Sequence, residues 1–177
     1  MRIKNWLHIQ RLGLFLYLAT GVLLLIYALG FISNVYIFYA YGGSSLVDFY
    51  HKMQTVNNSL LWKAVLVIIF TLILFLLELG KHPAGIITVI IAVVIAAASI
   101  FFCVDSLVII ADVRRLYTDL DFNSLNRYIE RGAIRYEYST LTYDLGLAGY
   151  FLFLLASLFM VTIVIRNALT VNLREGK

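Results

Sequence analysis

A single cysteine, Cys103, and a single proline, Pro83, stand among 177 residues. One thiol cannot close an intrachain disulfide, so no disulfide framework can hold this chain together. With proline confined to one position, almost nothing in the chain forbids helix. Charge is scarce as well: Asp, Glu, Lys and Arg make up 14%, against about 25% in soluble domains. The three histidines, His8, His51 and His82, fall in three separate segments, and no His-Glu-x-x-His is present. A zinc site therefore has no sequence support. Cys-x-x-Cys and Gly-x-Ser-Gly are also missing, which removes the usual marks of thiol redox chemistry and of an intramembrane serine nucleophile. No basic face interleaved with stacking aromatics is found, so nucleic acid is excluded as a partner. No cofactor is expected.

What fills the chain instead is apolar. Hydrophobic residues reach 62%, above the roughly 45–50% of soluble proteins. They gather in four runs, Leu12–Ile32, Leu61–Leu77, Ile86–Ala111 and Leu145–Ile165. About 17–25 apolar residues cross a bilayer as a helix. The runs are continuously apolar and do not alternate, which argues against a spanning β-barrel. Backbone groups in lipid must be satisfied within the segment, so such runs become helices. The expectation is an all-α membrane protein, residues 1–177 forming one domain of four transmembrane helices. The first run is longer than a signal-peptide core and reads as a retained span.

Two long connections separate spans one from two and three from four. The first, Ser33 to Leu60, is aromatic, with a turn at Gly42-Gly43-Ser44-Ser45. The second runs from Asp112 to Asp144. Within it Ser124–Tyr136 has helical periodicity, and an interfacial helix is expected there. Arg127, Arg131 and Arg135 recur every four residues on one face. They are candidates for anionic head groups, although a solvated helix face explains them more simply. Spans two and three are joined by the short link Glu78–Gly85, which makes them antiparallel neighbours.

Topology rests on a close balance. The termini and the short link carry seven Lys and Arg residues, and the two long connections with their flanks also carry seven. The flanks of the first span usually dominate. Arg2, Lys4 and Arg11 therefore place both termini in the cytoplasm, with a plasma or cytoplasmic membrane as the location. Asn57-Asn58-Ser59 is a formal glycosylation acceptor.

The residue of greatest interest is Asp105, an acid inside the third run. It lies six residues from Ala111, roughly 9 Å along a helix. An acid at that depth needs a partner or a proton and is a functional candidate by default. Folding the hairpin about His82–Pro83 sets Lys63 about one turn from Asp105. Lys63 is the only base in the spans, so an intramembrane pair is expected. In the same span Ala92, Ala96, Ser99, Cys103 and Ser106 repeat at steps of four and three. Small residues so spaced let helices approach closely, and this stripe is expected to face protein. Asp105 and Asp112 share one helix face, unlike the converging acids of a four-span aspartyl peptidase, and no known family's signature emerges.

These features favour a non-catalytic multi-pass protein, an accessory or assembly subunit or an organiser of a membrane complex. Its partners would be the lipid bilayer and either another membrane protein or further copies of itself. The alternatives are a small transporter or channel subunit using Asp105 as a proton or cation site, and a lipid-acting enzyme with a site among Asp112, Arg114, Arg115 and the Arg127 stripe.

Overall fold

The structure, a computed structural model, describes residues 2–39, 44–77, 86–121 and 139–175. The described residues are helical apart from short turns: α1 (Arg2–Tyr39), α2 (Ser44–Leu76), α3 (Ile86–Thr118) and α4 (Leu141–Glu175). Each contains a stretch long and apolar enough to cross a membrane: His8–Phe31, His51–Leu76, Ile86–Thr118 and Leu141–Arg166. No strand occurs among the described residues.

The helices run beyond the apolar runs, and this revises the first connection. The stretch 33–60, expected as a long loop, is helix on both sides of residues 40–43. Its second half contains neither proline nor glycine beyond Gly43. Phe49, Met53, Val56 and Leu60 are buried at steps of four, three and four, so this part carries its own amphipathic stripe and extends α2 outward. In the second connection α3 continues to Thr118. Ser124–Tyr136, with Arg127, Arg131 and Arg135, lies outside the described residues, as does the Glu78–Gly85 link with His82.

The four helices form a ring. α1 packs against α2 and α4, and α3 packs against α4 and α2; the α2/α3 seam is the loosest of the four. α1 and α3 face one another across the diagonal. The interior is lined by large side chains from α1 and α4, including Tyr17, Leu24, Phe31, Tyr150 and Phe153. α3 answers them with small ones: Ala92, Ala96, Ser99, Cys103 and Ser106 are all fully buried. This large-against-small pairing lets four helices close without a wide lumen.

Two glycines leave room for side chains of a neighbouring helix. A Cβ on Gly21 would come 2.8 Å from Val67 of α2. On Gly146 it would overlap the Tyr27 hydroxyl of α1 and lie 2.9 Å from Tyr27 Cε1. At both positions the absence of a side chain is what admits the neighbouring helix's side chain. The outward surface is the reverse of a soluble protein's. Phe15, Leu23, Ile26, Phe101, Val108 and Phe151 are exposed, as expected where the surroundings are hydrocarbon.

Candidate functional site

Lys63 lies on the side of α2 that faces α3, in the stripe Lys63, Leu66, Phe70 and Ile73, which is neither fully buried nor exposed. Asp105 lies on the α2-facing edge of α3. The antiparallel register that stacks Phe70 on Phe102, with ring centroids 6.1 Å apart, also brings the two charges together. Lys63 Nζ donates a hydrogen bond to Asp105 Oδ2 and forms an ion pair with it. A further ion pair, Arg114 with Asp144, lies at the rim of the bundle. The two partners are unequally covered. The Lys63 side chain is 13% exposed and that of Asp105 is 43% exposed. The lysine is tucked into the seam, and the carboxylate stands at its outer edge.

Behind the pair, the interior polar groups are spent on joining helices. Ser99 donates to the Ile95 carbonyl of its own helix at 2.7 Å. Its oxygen then accepts from Tyr17, whose hydroxyl lies 2.7 Å away, and this bond crosses the diagonal between α1 and α3. The Cys103 thiol donates to the Tyr150 carbonyl at 2.8 Å and ties α3 to α4. Thr71 and Ser157 return their hydroxyls to carbonyls one turn back, the usual way a hydroxyl is accommodated in a lipid-embedded helix. Tyr27 Oη, Ser106 Oγ, Tyr150 Oη and Asn57 Oδ1 are buried without a well-formed hydrogen bond among the described residues.

The end of the bundle away from the two termini, its outer end, is closed by rings that the sequence alone does not bring together. Tyr27 meets Phe31 and Tyr150, with centroids 5.7 and 6.4 Å apart. Phe31 and Tyr117 both pack on Tyr143, and Phe49 of α2 completes the set against Tyr117 at 6.0 Å. The signal was present as aromatics in the outer halves of all four helices. It could be read only once the helices were known to extend past the apolar runs. Over this plug, Arg114 Nε donates to Asp144 Oδ1 at 2.8 Å, and Thr140 donates to Asp144 Oδ2 at 2.8 Å. This ties the end of α3 to the first turn of α4, where a carboxylate also favours the helix N-terminus. Arg114, proposed for lipid chemistry with Asp112 and Arg115, is thus engaged with α4.

Of the histidines, His8 and His51 are both exposed and lie on different helices. No group of three or more metal-ligating side chains forms among the described residues. Asn57, the formal glycan acceptor, is 7% exposed on an inward face of α2.

The fold and site together describe an all-helical bundle of four candidate membrane spans with an ion pair set in one seam, consistent with a multi-pass integral membrane protein. No protein family, curated protein or solved structure matches the chain.

Proposed function

We propose that this chain is a non-catalytic membrane protein, an accessory or assembly subunit or an organiser of a membrane complex. The observation that carries the proposal is the pairing of Lys63 with Asp105. The acid that marked a candidate site in the sequence is engaged by Lys63, the one base within the four apolar runs. A pair of this kind fixes the register of two helices and leaves no net charge in the membrane. The interior supports the same conclusion, because its thiol and several of its hydroxyls are committed to helix-to-helix or local bonds. Both termini are assigned to the cytoplasm of a plasma or cytoplasmic membrane. The Ser124–Tyr136 segment is assigned to an interfacial helix on the opposite side, its Leu125–Ile129 face resting on the membrane or on the spans.

One observation favours a second reading, a small transporter or channel subunit. Asp105 is nearly half exposed, which would allow it to exchange Lys63 for a proton or a cation. Two measurements separate the two. Purification in mild detergent followed by mass spectrometry should recover a larger membrane protein in fixed stoichiometry with this chain. In sealed vesicles holding the purified protein alone, proton and monovalent-cation flux should equal that of empty vesicles. Flux abolished by Asp105→Asn would overturn the subunit proposal in favour of transport.

A further inference from the structure

We infer that the interior of the bundle binds a water molecule among the hydroxyls of Tyr27, Ser106 and Tyr150. The site is separate from the Lys63–Asp105 pair and does not rest on the subunit reading.

Nearer the termini, the bundle shows how this chain treats a buried hydroxyl. Ser99 and Ser157 each donate to the carbonyl one turn back, and Tyr17 bonds to Ser99 across the diagonal. Further out the pattern stops. Ser106 and Tyr150 are 0% and 2% exposed. Their hydroxyls and that of Tyr27 are buried without a well-formed bond among the described residues. Ser106 does not return its hydroxyl to its own helix, the usual arrangement for a serine in an apolar span. Leaving one such group without a partner costs about 1–3 kcal/mol, and here three occur together.

The three come to one level. Gly146 has no side chain, and the Tyr27 hydroxyl occupies that space against α4. Tyr150 lies one turn along from Gly146. A tyrosine on a helix leans toward that helix's N-terminus, so the Tyr150 side chain reaches back toward Gly146. The Tyr27 and Tyr150 rings stand edge to face, 6.4 Å apart at 85°. On α3, the Cys103 thiol is tied to the Tyr150 carbonyl. Ser106 is three residues further out, roughly 4.5 Å along the axis, and so also near the level of Gly146. The Ser106 and Tyr150 hydroxyls approach one another but stop short of bonding geometry, as two groups bridged by a third would. α1, α3 and α4 thus each bring one hydroxyl to the same small space.

The chemistry of the three groups identifies the occupant. Each hydroxyl can both donate and accept, and none carries a charge, so the ligand is neutral and does both. A cation would want a carboxylate, and Asp105, the neighbour of Ser106, is engaged by Lys63 at the α2/α3 seam. The large-against-small packing leaves no wide lumen, so the ligand is also small. Water meets all three conditions, and a buried water commonly makes about three hydrogen bonds to groups the fold leaves over. Held this way, it joins three of the four helices.

The test is radiolytic footprinting of the full chain in lipid vesicles, read residue by residue by mass spectrometry. Hydroxyl radicals form from water where water stands, so a fully buried ring is oxidised only when a water is bound beside it. Tyr150 should be oxidised several-fold faster than Tyr17 and Phe153, which are equally buried and border no unpaired hydroxyl of this cluster; Tyr27 should follow Tyr150. Ser106→Val puts a methyl group in place of the hydroxyl and should bring Tyr150 down to the Tyr17 rate, with Tyr17 itself unchanged. If that variant does not fold, the comparison of Tyr150 with Tyr17 in the wild-type chain decides alone. Tyr150 oxidised no faster than Tyr17 would overturn the water site and leave the three hydroxyls bonding directly to one another. Fast oxidation of Tyr150 that persists in folded Ser106→Val would overturn it as well.

Discussion

Replacing Gly146 by alanine probes the tight contact between α4 and the Tyr27 side chain of α1. A Cβ there would overlap the Tyr27 hydroxyl and approach Cε1 to 2.9 Å, inside any normal contact. Tyr27 has little room to retreat, since its ring is held between Phe31 at 5.7 Å and Tyr150 at 6.4 Å. Overpacking of this kind costs about 1–3 kcal/mol, and so rigid a neighbour puts the cost at the upper end. Alanine regains about 1 kcal/mol of helix propensity over glycine. The net expectation is a loss of about 2 kcal/mol, or roughly 30-fold in the folding equilibrium. The chain supplies its own control one turn along. A Cβ on Gly149 meets Leu24 Cδ2 at 3.6 Å, an ordinary contact, so Gly149→Ala should be neutral or slightly stabilising. Denaturant titration in micelles, followed by circular dichroism, measures both. Tyr27→Leu should cost less in the Gly146→Ala background than in the wild type, by more than about 0.5 kcal/mol. A Gly146→Ala protein as stable as Gly149→Ala would refute the placement of Tyr27 against Gly146.

The diagonal bond gives an asymmetric prediction. Ser99→Ala strands the Tyr17 donor at a position with no solvent exposure, whereas Tyr17→Phe only removes one bond from a serine that keeps its carbonyl partner. Ser99→Ala should therefore be the more destabilising in the same titration, at about 1–3 kcal/mol against about 1. At the rim, Arg114→Ala should destabilise only slightly in the same titration, and raising the salt should shrink that difference, because both partners of the Arg114–Asp144 pair are well exposed. Expression in a glycosylating host should leave the mass of the chain unshifted, because Asn57 is buried in α2; a shift removed by an N-glycosidase would contradict its placement.

The four spans were legible because lipid imposes one rule on the backbone, and apolar runs of that length can obey it only as helices. The hairpin register was legible too. A short link leaves few ways to pair two helices, and counting back from Pro83 puts Lys63 near Asp105. What the sequence hid was the reach of the helices beyond the membrane. Polar residues such as Gln54, Asn57 and Asn58 look like loop by composition, while the stripe Phe49, Met53, Val56 and Leu60 that makes them helical is sparse. The aromatic plug was hidden for the same reason: Phe49, Tyr117 and Tyr143 become neighbours only when α2, α3 and α4 all extend outward. Nor does spacing show which member of an ion pair is the more exposed. That depends on how far the α2/α3 seam opens, a property of the whole ring.

The central claim is that Lys63 and Asp105 act as one structural unit. A double-mutant cycle with Lys63→Met, Asp105→Leu and the combined variant, read by denaturant titration in micelles, tests it most directly. Either single change strands a charge within the membrane, at about 2.5–3.5 kcal/mol. The combined change replaces the pair with apolar side chains and should cost less than either single one, giving a coupling of at least about 2 kcal/mol. Single losses that add to within about 0.5 kcal/mol would show that the two charges do not support one another, and would contradict the account.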